Sequence, residues 1–426
     1  MVLRRTKMQS HSCAGAAGSC TLRTVFLGHF SLPEALQDAV FAAAANAQKA
    51  RDAGRHPIDG TIGVLTDDRG DPAHPLIFPC VRQAIDAMYH DWERHPGFPY
   101  SPLLGVTAYR EAMKRLVFGA EATVASISAA GGTAAVALNL HLAKLMGIGR
   151  AILPVPTWPN HRQLLEGSGL SYTEIKGAMP HPPSPEQLLA AARASKDPVL
   201  FLLQANAHNP TGHQWTKEQW RVFADGVSGS AHIVLLDCAY QGLSEGVEED
   251  RAPALLLREA GVRLLFAGSS SKNHGVYGLR VGWACAVVSS PEEERQLEQW
   301  YRILTRRMYS TAPTFGQLIV AKVQEEYQEE WRRQLGAVRT GTDRKRRVLR
   351  DAFPEWADSI EGTGLFTMLP LSAHAIARLQ EDDVFLTHDG RVNLAGIPLG
   401  RFDEFLRKIR RVREGITQSP AGTPAG

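Results

Sequence analysis

The sequence predicts an α/β protein: a parallel or mostly parallel sheet covered by helices on both faces. Two observations predict it. Short, nearly uninterrupted apolar runs recur between about residue 125 and residue 288, and stretches of helical period separate them. A third observation bears on function. The residues that follow the runs are glycines, hydroxyls and ionisable groups, and in such sheets ligands bind beyond the carboxyl ends of the strands.

The elements read in order as follows. An alanine-rich helix is predicted from about Leu32 to Lys49, then a short strand and turn in DGTIGVLTDD. ASISAA is the first strand of the alternating region, and GGTAAVALNLHLAKLMG is a helix opening on two glycines. AILPVP is a strand and NHRQLLEGSG a helix. VLFLLQA and HIVLLDCAY are buried strands with helix TKEQWRVFADGV between them. RLLFAGS and VGWACAVV are the last strands of this region. From about Pro291 to Arg350 the chain is charged and helical, which suggests a connecting helix. TGLFTMLPLS and VNLAGI are then predicted as strands of a smaller α+β domain.

Composition narrows the function. The chain has 426 residues, 44% hydrophobic and 21% charged, with a net charge of +3. This describes an ordinary globular protein and gives no reason to expect nucleic acid or an acidic membrane as partner. No run of about 18 uncharged apolar residues occurs, so no membrane span is predicted. The five cysteines (13, 20, 80, 238 and 285) form no C-x-x-C pair, which reads as a reduced, cytoplasmic protein without a zinc site. Residues 1–30 contain no acidic residue and several Arg and Lys, a composition shared by disordered leaders and organelle transit peptides.

The strand ends carry the candidate chemistry. Gly131-Gly132-Thr133 opens a helix whose N-terminus suits an anion. Trp158 and His161 follow the second strand; a tryptophan there can stack on a flat ring. Asn209 lies in HNPTG after the third strand. Asp237 ends the fourth, with Tyr240 three residues on; a carboxylate ending an apolar strand needs a partner. Ser269, Ser270 and Ser271 precede Lys272, and Arg280 follows eight residues later. A lysine in such a setting can have a lowered pKa and act as an amine. Each feature alone has a plain structural explanation: a turn, a core ring, a solvated charge. Together they supply an amine, a stacking ring, a carboxylate, a phenol, an amide and a phosphate cradle on one sheet edge. Pyridoxal phosphate requires that set.

On these residues the sequence resembles the aspartate/aromatic aminotransferase group, class I aminotransferases of fold type I. The resemblance runs from about Gly63 to Gly396 through YSPLLG, GGTAAV, PTWPNH, AHNPTG, DCAYQG, SSSKNHGVYGLRVG and DGRVNLAG, in that order. It implies a mostly parallel, seven-stranded type of sheet and a ping-pong transfer between an L-amino acid and a 2-oxo acid such as 2-oxoglutarate. It also implies roles. Lys272 forms the internal aldimine and then shuttles the proton; Asp237 pairs with the pyridinium nitrogen; Tyr240 and Asn209 bond the ring oxygen; Trp158 stacks. Gly132, Thr133, Ser269, Ser271 and Arg280 hold the phosphate, and His161 supports Asp237. Tyr100 reaches the phosphate of a neighbouring subunit, so a homodimer with shared sites is implied. Arg391 grips the substrate α-carboxylate, with Gly63, Trp158 and Asn209 also at the substrate. Arg306 receives a distal carboxylate from the other subunit.

Leu65, Pro99, Thr311, His274 and Trp283 depart from the aspartate-specific pattern at positions the resemblance sets near the pocket, and a more apolar pocket suits aromatic substrates. The implied layout is a leader at 1–30, the N-terminal part of a small domain at 31–75, a large cofactor-binding domain at 76–325, the rest of the small domain at 326–416 and a tail at 417–426. A serine enzyme with S-x-x-K would need S-D-N and K-T-G, and neither occurs; a nicotinamide site would need G-x-G-x-x-G, and GGTAAV lacks that spacing. A lyase or decarboxylase on the same scaffold remains open at this point.

Overall fold

The computed structural model describes residues 39–67, 75–91 and 99–417. The predicted leader at 1–30, the start of the first helix at Leu32 and residues 418–426 lie outside the described residues. Helix α1 (Ala39–Asp52) and strand β1 (Ile58–Asp59) come first, then α2 (Pro79–His90) and α3 (Thr107–Phe118). Strands and helices then alternate: β2 (Val124–Ala130), α4 (Gly132–Leu145), β3 (Arg150–Val155), α5 (Asn160–Gly167), β4 (Ser171–Lys176), α6 (Pro185–Arg193), β5 (Val199–Gln204), α7 (Lys217–Val227), β6 (Ile233–Cys238), α8 (Ala252–Glu259), β7 (Arg263–Ser269), α9 (Ser270–Asn273) and β8 (Val281–Val287). Helices α10 (Pro291–Met308), α11 (Thr314–Glu326) and α12 (Gln328–Ala352) lead to α13 (Ala357–Ile360), β9 (Phe366–Met368), α14 (Ala373–Glu381), β10 (Val384–Phe385), β11 (Arg391–Asn393) and α15 (Phe402–Thr417).

Seven strands form one sheet in the order β2-β8-β7-β6-β5-β3-β4, with β8 antiparallel to both its neighbours and the other pairings parallel. Side chains alternate across a strand, so each central strand feeds two cores. Phe201, Leu203, Val234, Leu236, Leu264 and Phe266 face one core with Tyr109, Trp220, Phe223, Leu257 and Ile319 from α3, α7, α8 and α11. Leu200, Leu202, Ile233, Leu235 and Leu265 face the other with Leu138, Leu142, Tyr301 and Leu304 from α4 and α10. Each such side chain, fully buried, stabilises the fold by about 1.5–3 kcal/mol before entropy is counted. This double burial is why the strands read as continuous apolar runs.

A separate apolar cluster joins Ile58, Leu349, Phe353, Leu379, Val392, Phe402, Phe405 and Ile409. Around it β1 pairs in parallel with β10, and β9 pairs antiparallel with β11.

Several expectations need correction. The strand read in DGTIGVLTDD reduces to Ile58–Asp59 and a bridge between Thr66 and Pro75. The single connecting helix is three helices, broken at Tyr309–Pro313 and at Tyr327. Strand β4 and helices α6 and α8 were not read. β4 is an edge strand with no fully buried residue, so SYTEIK lacks the apolar signature of its neighbours. VNLAGI is strand only to Asn393; the Asn393 side chain then accepts from the Ala395 N–H and turns the chain.

Candidate active site

The antiparallel direction of β8 brings its first residues to the edge where the parallel strands end. Ala130 lies opposite Val281, Ser269 opposite Gly282, and Gln204 opposite Asp237. Three segments meet there at backbone distance. Gly131 has φ 86°, open to glycine but strained for other residues; a Cβ on it would stand 2.3 Å from Arg280 Nη2. A Cβ on Gly132 would stand 2.9 Å from Ser269 Cβ, and one on Gly282 only 2.4 Å from the Gly131 carbonyl. Arg280 is itself left-handed (φ 52°, ψ 60°), a costly conformation for a residue with a side chain, and its Nη1 donates to the Tyr277 carbonyl. The result is a guanidinium lying over the glycine turn that opens α4, beside the Ser269 hydroxyl, which accepts from the Ser271 N–H.

Lys272 lies on α9, one short turn after β7. Burial pulls its amine below the ordinary lysine range; Asp237 opposes this and Arg280 adds to it. Its Nζ is 5.6 Å from the centroid of the Tyr240 ring. Burial pushes the Tyr240 phenol up, against the pull of the Arg391 charge.

Asp237 is supported by a row of side chains. His161, fully buried at the start of α5, has Nε2 2.9 Å from Asp237 Oδ2 and Nδ1 2.8 Å from Thr157 Oγ1. Gln204 Nε2 donates to Thr157 Oγ1 (3.4 Å) and to the Asn209 carbonyl (2.9 Å), and its Oε1 accepts from the Asn209 N–H. A carboxylate accepts, so His161 Nε2–H donates to Asp237, and the Thr157 hydroxyl bridges His161 Nδ1 and the Gln204 amide. Trp158 is half-buried and meets His161 edge-on at 5.3 Å.

The row ends at Arg391. This buried guanidinium donates from Nη1 to Asn209 Oδ1 (2.9 Å) and from Nη2 to the Thr61 carbonyl (2.6 Å), with its Cζ 4.6 Å from the Phe366 ring centroid. Gly63 lies beside the same ring: a Cβ there would be 2.8 Å from Phe366 Cζ. Asn393 fixes this stretch by donating to the carbonyls of Ile62 and Val64.

Two predicted residues stand apart. Tyr100 is 91% exposed and Arg306 is exposed, its Nη1 near Ser310 Oγ. Their segments are tied together, because Thr314 Oγ1 donates to the Pro99 carbonyl. Two supposed pocket neighbours prove to be core residues. Trp283 points from β8 into the core against Phe118 and Phe266, and His274 stacks on Trp331 of α12 at 4.8 Å. Leu65 is fully buried as well, with its N–H donating to the Tyr277 hydroxyl. Thr157, Gln204 and Phe366 were missed from the sequence. The one available signal was Gln204, a polar residue closing an apolar strand in register with Asp237.

Comparison with known proteins decides the family. The family model for aminotransferase class I and II matches residues 64–409. This chain belongs to that family. It is a pyridoxal-phosphate-dependent aminotransferase, and the strand-end residues lie within the matched region. Among its relatives, the aromatic-amino-acid aminotransferase of Paracoccus denitrificans is 30% identical, over 80% of this chain and 89% of that one. The mitochondrial aspartate aminotransferase of Dictyostelium discoideum is 29% identical, over 79% and 82%. An aromatic amino acid aminotransferase from Burkholderia cenocepacia, known as a crystal structure, superposes with a TM-score of 0.82 at 26% identity, over 92% of this chain and all of that one. Among the described residues no helix is long and apolar enough to cross a membrane, and no cluster of His, Cys, Asp and Glu could hold a metal ion.

Proposed function

We propose that this aminotransferase moves the amino group of an acidic or aromatic L-amino acid to a 2-oxo acid such as 2-oxoglutarate, one substrate leaving before the other enters. The names of its relatives, acting on aspartate or on aromatic amino acids, support this range. The observation that carries the reading is the Lys272 amine, 5.6 Å from the Tyr240 ring centroid at the sheet edge that also carries Asp237 and the guanidinium over Gly131.

The residues fit the cofactor. At Gly131 and Gly132 a side chain would collide, whereas an anion would meet the free N–H groups of α4, including those of Gly132 and Thr133, the Ser269 and Ser271 hydroxyls and the Arg280 charge. Bound pyridoxal 5′-phosphate supplies an aldehyde that receives the amino group and a ring that withdraws electrons from the substrate Cα. Asp237, held by His161 Nε2, would pair with the ring nitrogen and keep a proton there. Trp158 would cover a ring face, and Tyr240 and Asn209 would donate to the ring oxygen. Lys272 would anchor the cofactor and, with its affinity for protons reduced by burial, would take the Cα proton at Nζ and return it. Arg391 holds the substrate α-carboxylate with its planar fork, and Gly63 leaves room for it.

Tyr100 and Arg306 are exposed, on segments joined by the Thr314–Pro99 bond, which supports a homodimer in which they complete the neighbour's site, Arg306 taking a distal carboxylate. The separate cluster around Phe353 and Phe405 supports a small domain formed by 31–75 and 326–416 against a large one at 76–325. The free, buried Cys80, Cys238 and Cys285 suit a reducing compartment such as the cytoplasm. The test is a screen of amino donors against 2-oxoglutarate, pyruvate and oxaloacetate, run beside Lys272→Ala. Glutamate formed from acidic or aromatic donors, lost by at least about a thousandfold in Lys272→Ala, is expected. An active Lys272→Ala, or ammonia released without an acceptor, would sink the reading.

A further inference from the structure

Arg346 is buried, as is Lys345 beside it, in a helix whose other charges are exposed or half-buried. It belongs to the run Arg344-Lys345-Arg346-Arg347 near the end of α12, where Arg344 and Arg347 are exposed. Arg346 is only 6% exposed, and its guanidinium donates to four main-chain carbonyls: Ile360 from Nη1 (2.7 Å), and Thr363 (3.2 Å), Gly364 (2.8 Å) and Phe366 (2.9 Å) from Nη2. Burial lowers its pKa only to about 10, so the charge persists.

The caged segment leads straight to the substrate end of the site. It passes through Gly362 (φ 109°) and Gly364 (φ 74°) and is packed on the loop carrying Asn209: the Thr363 N–H donates to the Gly212 carbonyl. A Cβ on Gly364 would stand 2.3 Å from Ala207 Cβ, and one on Gly212 would stand 2.5 Å from the Phe366 carbonyl. Phe366 then presents its ring to Arg391 at 4.6 Å, to the Tyr240 ring at 6.0 Å and to Gly63. Its carbonyl is held by Arg346, and Asn393, which clamps both sides of Gly63, lies opposite it in the β9–β11 pair.

We infer that Arg346 is a positioning residue for substrate: through the Phe366 backbone it sets where the Phe366 ring stands, and thereby where Arg391 and Gly63 meet the substrate carboxylate. The inference rests on Arg391 being the carboxylate site. A lysine cannot substitute, because one ammonium nitrogen cannot span carbonyls reached by two separate guanidinium nitrogens. Among the described residues the phosphate cradle shares no hydrogen bond with this segment, and Phe366 meets Tyr240 only edge-on, so the larger effect falls on substrate.

The experiment measures KM for the amino donor, kcat and pyridoxal phosphate affinity for holoenzyme carrying Arg346→Lys, Arg391→Lys or both. Arg346→Lys is expected to raise KM about tenfold with cofactor affinity within about twofold, and the double variant to be no worse than Arg391→Lys alone, since both act on one contact. Gly364→Ala, which displaces the same segment while leaving the Arg346 side chain in place, is expected to reproduce the split and stands in if Arg346→Lys does not fold. An unchanged KM in Arg346→Lys beside a raised one in Arg391→Lys overturns this inference alone. So do multiplicative effects in the double variant, or KM and cofactor affinity failing together. An unchanged KM in Arg391→Lys removes the carboxylate site itself, and this inference with it.

Discussion

The two ends of the proposed site, one for the cofactor phosphate and one for the substrate carboxylate, are built differently. The phosphate end is a matter of backbone contact. Gly131, Gly132 and Gly282 bring the turns after β2 and β7 and the start of β8 so close that side chains are excluded, and the sheet that carries them is buried on both faces. The carboxylate end is a matter of reach. Arg391 bonds to Thr61 and to Asn209, 330 and 182 residues away in sequence, and leans on a ring whose backbone is held from α12. A backbone-built pocket has few ways to move; one assembled from side-chain bonds between distant segments can adjust to different substrates. Cofactor binding should therefore respond to changes at one end and substrate binding to changes at the other.

The largest expected effect is at the rigid end. Gly131→Ala places a methyl 2.3 Å from Arg280 Nη2 in a left-handed backbone, and the exposed Arg280 side chain can clear it only by leaving the cradle. Cofactor affinity should fall about a hundredfold, roughly 2.7 kcal/mol, in an absorbance titration. Wild-type affinity in this variant would mean the cradle is not where the phosphate binds.

Next comes the part of the carboxylate end proposed to come from the neighbouring chain. Arg306→Ala should cost dicarboxylic substrates roughly tenfold to a hundredfold while sparing aromatic ones. Mixing inactive Lys272→Ala chains with Arg306→Ala chains sharpens the point. If sites are shared, hybrid dimers hold one intact site each, and activity on aspartate should return to about a quarter of wild type. No recovery on mixing, with exchange verified, would place Arg306 in its own chain's site or in none.

A milder change at the same end is Gly63→Ala. Its Cβ would meet only the tip of the Phe366 ring, at 2.8 Å, and Gly63 is not left-handed. KM for the amino donor should rise about tenfold with cofactor affinity unchanged, the reverse of Gly131→Ala. Parallel behaviour of the two glycine variants would erase the distinction between the ends.

The same contrast decided what the sequence disclosed. The central strands of the large sheet and the polar groups gathered at their ends were legible, because a doubly buried strand is an apolar run and the groups after it stand out. Phe366, Gln204 and Arg346 were not. Phe366 looks like any core ring, and Gln204 like the fraying end of a strand. Arg346 is one cation in a run of four, distinguished from Arg344 and Arg347 only by the direction it faces, which tertiary packing sets. His274 and Trp283 misled for the converse reason. Their positions beside site residues suggested a pocket, but strand alternation and the turn after α9 point both into the core.

His274 supplies the smallest prediction. It follows Lys272 and Asn273, accepts from Gln324 at Nε2 and donates from Nδ1 to Asn273 Oδ1, so it is a neutral ring held on both sides. Burial lowers its pKa to about 3; His208, beside Asn209 at the other end, is lowered to about 3 by burial and by the nearby His161 and His213. Both folded values lie below the ordinary 6.5. Between 6.5 and 3 the unfolded chain therefore binds the proton and the folded chain does not. The stability each group contributes is complete above pH 6.5 and is lost as pH falls towards 3, at about 1.4 kcal/mol per pH unit for each proton. His274→Phe keeps a ring against Trp331 and removes one such proton. Urea unfolding between pH 7 and pH 4 should show the variant losing stability less steeply, by up to that slope, while His208 preserves the remainder. An unchanged slope would mean that His274 is protonated in the folded protein, and that the phosphate end is open to water behind Lys272.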